Sequence, residues 1–183
     1  MRPGVSERAL YADIMKTICE SGAAVRYPRL ILHTGADNLS WGPPVWQYQA
    51  QPPRFLQTGD LVQAEIFPCY GGLEAQQQMS VSLKPVNSVN AECAAVARKS
   101  YEAGLKALRP GRTFQQVCDA MEEPLRAAGC WHLTPLLHSL NPLGWTSATQ
   151  VGIEQMPGRE KYKDLRSRPA VGGDLVIQAG MVL

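Results

Sequence analysis

Leu10, Ile14 and Ile18 recur every four positions between Ser6 and Gly22. Such spacing puts apolar side chains on one face of a helix, with Ser6 as an N-cap and Gly22 as its terminator. The run from Pro28 to Thr34 (PRLILHT) reads as a short buried strand. From Leu61 to Phe67 the period changes to two, with Leu61, Gln63, Glu65 and Phe67 on one side and Val62, Ala64 and Ile66 on the other. Gly71-Gly72 suits a two-residue I′ turn, so Gly59 to Leu83 is predicted to be a β-hairpin. In that register, residues whose numbers sum to 143 face each other, as Glu65 and Gln78 do, or Phe67 and Gln76. Glu65 and Gln76 are then diagonal neighbours on one face, about 7–8 Å apart.

Further along, Ser88 to Leu108 is a helix candidate rich in alanine, ended by Pro110-Gly111. Thr113 to Ala128 is another, with Val117, Met121 and Leu125 in register, and Pro124 is expected to kink or restart it. Between the first strand and the hairpin, Gly35 to Pro53 is a loop rich in Gly, Pro and Trp, with Trp41 and Trp46 available either to line a pocket or to cover the core. Gly129 to Gly173 is irregular, and the chain closes on a strand-like run, DLVIQAGMVL.

A weak internal repeat organises these signals. Pro3-Gly4, Ser6, Leu10, Ile14, Ile18 and Gly22 recur 107 positions later as Pro110-Gly111, Thr113, Val117, Met121, Leu125 and Gly129. LIL-His33 resembles PLL-His138, and LQTGDLV at 56–62 resembles IQAGMVL at 177–183. Each half is expected to run helix, loop, strand.

Composition narrows the function without naming it. The chain has 183 residues, 45% hydrophobic and 19% charged, enough for one domain with a real core. A net charge of +2 spread along the chain predicts neither nucleic-acid nor membrane partners. No apolar run approaches the ~18 residues of a spanning helix, and the N-terminus lacks a signal-peptide core, so a cytoplasmic location is expected. Five scattered cysteines with no CxxC pair support neither a zinc knuckle nor a disulfide framework.

Taken in order, the opening PGVSERALYADI, the GDLV strand, its hairpin with Tyr70-x-Gly72, the LRPGRT of 108–113 and the closing Gly180-Met181-Val182 resemble one family. It is the creatinase, prolidase, aminopeptidase P and methionine aminopeptidase superfamily. The resemblance covers nearly the whole chain and implies an α/β (α+β) pita-bread fold, internally duplicated around a curved, mainly antiparallel sheet. On that reading residues 1–183 form a single domain lacking its last strands.

The resemblance also implies a metal centre: two divalent ions (manganese, cobalt or zinc) held by two aspartates of the hairpin, one histidine and two glutamates. Carried onto this chain, the first aspartate falls on Glu65, the second on Gln76 and the histidine on His138. The first glutamate falls about three residues beyond Leu183, and an upstream histidine that assists catalysis falls near Trp41. Two divalent cations need several anionic ligands, and Glu65 is the single carboxylate in this set. No metal is therefore expected in this chain as it stands. Three functions follow as expectations. One is an Xaa-Pro peptidase-like hydrolase domain with a degenerate or incomplete dinuclear site. A second is a metal-free, creatinase-like hydrolase of small amides, with Glu65 and His138 as catalytic pair and Gln76 and Trp41 at the substrate. The third is a non-catalytic binding or assembly module, or an inactive truncated product. The expected partner is a peptide or small-amide substrate, with a second copy of the chain at the exposed sheet edge.

Overall fold

The computed structural model describes residues 1–35, 43–130, 132, 136–138, 146–147 and 173–183. Trp41 and most of the 129–173 stretch lie outside the described residues. The chain forms two compact units, Met1–Ala91 and Glu92–Leu183.

In the first unit, the Ser6 hydroxyl accepts the Ala9 N–H and starts helix α1, Glu7–Glu20. Gly22 follows with φ 79°, closing it where the sequence places a terminator. Strand β1 is Ala24–Thr34, four residues longer at its start than the apolar pattern suggests, and its register slips between Val25 and Leu30. β2 (Leu61–Tyr70), β3 (Leu73–Glu74) and β4 (Gln77–Ser82) make the hairpin. Gly71 and Gly72 have φ 57° and 84°, which a two-residue I′ turn demands. The predicted register holds in both paired stretches, where Leu61 faces Ser82, Glu65 faces Gln78 and Cys69 faces Glu74, while Gln76, expected opposite Phe67, falls in the link between β3 and β4. Both β1 and the returning strands pair antiparallel to β2, which is therefore central.

Side chains directly across a ladder share a face. Leu30 and Leu32 of β1 and Val62 and Ala64 of β2 form one buried layer with Leu56 and Leu83, against which Leu10, Tyr11, Ile14 and Met15 of α1 pack. The opposite face carries Ile31 and His33, Gln63 and Glu65, then Phe67 and Cys69. Glu65, Phe67 and Cys69 are buried there, so both faces of β2 are covered.

The second unit holds most of α2 (Ser88–Ala107), all of α3 (Phe114–Ala127), and the short pair β5 (Leu137–His138) and β6 (Thr146–Ser147). α3 begins with a reciprocal capping box between Thr113 and Gln116. It runs through Pro124 as a single helix, so Pro124 does not restart it. Pro124 lies in the last turn, where the missing N–H removes one hydrogen bond, and its carbonyl still accepts from Ala128. α2 meets α3 where Gly104 leaves room for Met121 and the Ser100 hydroxyl donates to the Met121 carbonyl at 2.7 Å. The closing run forms only a bridge between Thr113 and Val176, not a ladder among the described residues.

The internal repeat is written in backbone hydrogen bonds. In the first unit Gly4 N–H donates to Leu56, Leu56 N–H to Val5 and Glu7 N–H to Arg54. In the second, Gly111 donates to Ile177, Ile177 to Arg112 and Phe114 to Leu175. The glycines that repeat, Gly4 with Gly111, Gly22 with Gly129 and Gly59 with Gly180, all have positive φ. The N-caps match too, because Ser6 bridges Phe55 as Thr113 bridges Val176.

Candidate functional site

The hairpin carries both predicted positions, one in a strand and one in a link. Glu65 is buried on central β2 opposite Gln78, and Gln76 is half-buried in the link between β3 and β4. Gln77 and Gln78 are exposed, as a solvated edge predicts, while Gln76 is engaged. Its Nε2 donates to Glu74 Oε1 at 2.7 Å.

Glu74 is the residue that sequence reasoning passed over. It is 4% exposed and faces Cys69, so it lies on the same surface as Glu65. The 143 rule already places it there, since 69 and 74 obey it. It was missed because it does not stand at the ligand spacing of the resembling family. Its effect on Gln76 is chemical. An ionised carboxylate only accepts hydrogen bonds, so the carboxamide must turn its NH2 toward Glu74, and its one carbonyl oxygen faces elsewhere. The two hairpin positions thus present one carboxylate and one neutral oxygen.

His138 belongs to the second unit, where it pairs with Thr146 on the β5–β6 ladder. His33, expected to be structural, is 2% exposed at the end of β1 and lines a cavity beside Glu7, Trp46 and Arg54. His132, also expected to be structural, has its Nε2 3.9 Å from Oε1 of buried Glu122. Trp46 covers α1: it meets Tyr11 edge-to-face at 5.1 Å, and its Nε1 donates to Glu7 at 2.8 Å.

The model of metallopeptidase family M24 matches residues 1–183. The chain belongs to metallopeptidase family M24. Solved structures agree on the fold. A dipeptidase from Pyrococcus horikoshii OT3 superposes with a TM-score of 0.67 at 18% identity, covering 99% of this chain and 44% of that one. Prolidase from Pyrococcus furiosus gives 0.64 at 16% identity, covering 76% and 40%. The dipeptidase PepE from Mycobacterium ulcerans gives 0.62 at 22% identity, covering 98% and 42%. No curated protein matches the sequence. The chain spans less than half the length of each of these three structures. They establish a pita-bread α/β fold with an antiparallel sheet.

Family M24 normally uses divalent metals. Holding two dications at carboxylate positions takes anionic oxygens, and here Gln76 is neutral with its amide committed to Glu74. Among the described residues no three His, Cys, Asp or Glu come together. No helix among them is long and apolar enough to cross a membrane.

Proposed function

We propose that this chain is an Xaa-Pro peptidase-like hydrolase domain whose hairpin site engages a peptide or small amide through hydrogen bonds, its dinuclear metal centre being degenerate. One observation carries the reading: the 2.7 Å hydrogen bond that ties Gln76 to Glu74 where the family has a metal-binding carboxylate. In this reading Glu65 handles the proton at the amide and the carbonyl oxygen of Gln76 accepts a substrate N–H. The two units are halves of one duplicated domain. Among the described residues β4 pairs with β2 alone, and its other edge pairs with a second copy, which a light-scattering mass at twice the monomer value supports and a monomer mass rejects.

Metal content of the purified chain, measured beside turnover of an Xaa-Pro dipeptide with and without added manganese, tests the proposal. Turnover without bound metal that disappears in Glu65→Gln supports a metal-free hydrolase. Saturable dipeptide binding with no turnover supports a binding module on the same face. Two tightly bound metal ions per chain with metal-dependent turnover would overturn the proposal.

A further inference from the structure

Helix α2 has 20 residues, yet it buries only Ser100 and Gly104. These two meet α3, Gly104 against the Met121 side chain and the Ser100 hydroxyl on the Met121 carbonyl. At about 3.6 residues per turn, Ala94, Ala97, Tyr101 and Leu105 fall within an arc of about 80° beside that buried line. All four are exposed, Tyr101 at 61% and Leu105 at 47%. They belong to the second unit. A tyrosine ring and a leucine side chain thus stand in water on one continuous apolar face.

Side-chain size is ordered along this face, with the alanines in its first half and the large residues in its second. A parallel neighbour of the same sequence would set Tyr101 against Tyr101 and leave the alanines facing across a gap. An antiparallel neighbour sets each large side chain on a small one. Centred between Ala97 and Tyr101, it lays Tyr101 on Ala97 of the second copy and Leu105 on its Ala94. The charges share that centre. Arg98 and Glu102 are exposed along the flank of the face remote from α3, and the same register sets Arg98 of each copy opposite Glu102 of the other. Within one chain these two stand four apart with the cation first, the weaker order for such a pair. Neither has an ion-pair partner among the described residues.

We propose that the face of α2 carrying Ala94, Ala97, Tyr101 and Leu105 docks on the same face of a second copy of this chain, antiparallel about a two-fold axis. Such a contact is isologous and closes on itself. The alanines let the two helix axes approach to about 8 Å, the near end of the range for packed helices. Tyr101 and Leu105, each buried twice, form the apolar centre, and the two Arg98–Glu102 pairs form the rim. One helix pair is a small interface, so dissociation in the micromolar range is expected. The contact goes beyond the hydrolase reading and does not depend on it. It is also separate from the β4 edge, whose mass measurement is read on a Tyr101→Glu chain, where this face cannot pair.

Sedimentation velocity of the full chain, from micromolar to submillimolar concentration, tests this. The expected result is a reversible self-association that Tyr101→Glu, a change at an exposed position, weakens strongly without altering the thermal melt. Arg98→Glu should weaken it about tenfold, and Arg98→Glu combined with Glu102→Arg should restore it. Orientation is read by disulfide mapping in a background where exposed Cys19 and Cys93 are replaced by serine. Chains carrying Ala94→Cys and chains carrying Leu105→Cys should cross-link to each other under mild oxidation, and neither to itself. A monomer at every concentration, self-association unchanged by Tyr101→Glu, failure of the charge exchange to restore it, or cross-links within each single variant in place of the mixed one overturns the proposal.

Discussion

Exchanging the partners of the Glu74–Gln76 hydrogen bond tests the reading of the hairpin most sharply. Gln76→Glu alone replaces a donor 2.7 Å from Glu74 Oε1 with a second carboxylate. It removes a hydrogen bond to a charged acceptor, a contribution of about 1.5–3 kcal/mol. It also brings two like charges to roughly 4 Å, where an effective dielectric of about 20 gives about 4 kcal/mol of repulsion. Gln76 is only half-buried, so water screens much of that second quantity. A net loss of roughly 2–3 kcal/mol is expected, lowering Tm by roughly 4–12 °C for a chain of this size. The paired change Glu74→Gln with Gln76→Glu restores one donor and one acceptor in reversed order and should recover at least half of the loss. Urea unfolding of the wild type, both single variants and the double variant gives the coupling free energy directly. Added manganese should raise the stability of Gln76→Glu and leave the wild type unchanged. If Gln76→Glu is as stable as the wild type without metal, or the double variant is merely the sum of its singles, the two side chains are not coupled. Gln76 would then not be oriented by Glu74.

Three further changes probe the framework. Gly104→Ala places a methyl 2.7 Å from Met121 Cγ. Overpacking costs about 1–3 kcal/mol against a helix-propensity gain of about 1. A net loss near 1 kcal/mol is therefore expected by denaturant titration, turning into a gain in a Met121→Ala background. Glu7→Ala leaves the buried Thr34 hydroxyl and the Trp46 indole N–H without their acceptor, and should destabilise by about 2–4 kcal/mol while shifting the indole N–H resonance. The double change Thr113→Ala with Gln116→Ala removes both bonds of the capping box and Ser6→Ala removes a single one. Each should lower stability by about 1 kcal/mol, with the larger effect at the Thr113–Gln116 box. Equal effects in urea unfolding would show that the return bond from Gln116 contributes nothing.

Local chemistry made much of this molecule legible from its residues. Ser6, Gly22, Gly71-Gly72 and Thr113 set their boundaries through caps and positive φ, which depend on neighbours a few positions away. A period of two, joined to a two-glycine turn, sets the register of the paired residues, as Glu65 opposite Gln78 and Cys69 opposite Glu74 show. The repeat was readable for the same reason: caps and breakers recur at fixed spacing and draw the same backbone hydrogen bonds in both units.

Contacts between distant segments were decided only in three dimensions. The early start of β1 at Ala24 comes from pairing with Cys69 and Pro68, against what a proline-containing run suggests alone. Pro124 is tolerated because of where it falls in α3, a matter of one hydrogen bond. That Glu74 turns the Gln76 amide, and that Glu7, Trp46 and Arg54 enclose a polar cavity where the second repeat buries Phe114, depends on side chains brought together by the sheet and by α1. Sequence spacing states which face a residue occupies, but burial and hydrogen-bond partners across tens of residues are set by packing, so the chemistry of the hairpin and of that cavity became visible only in the folded chain.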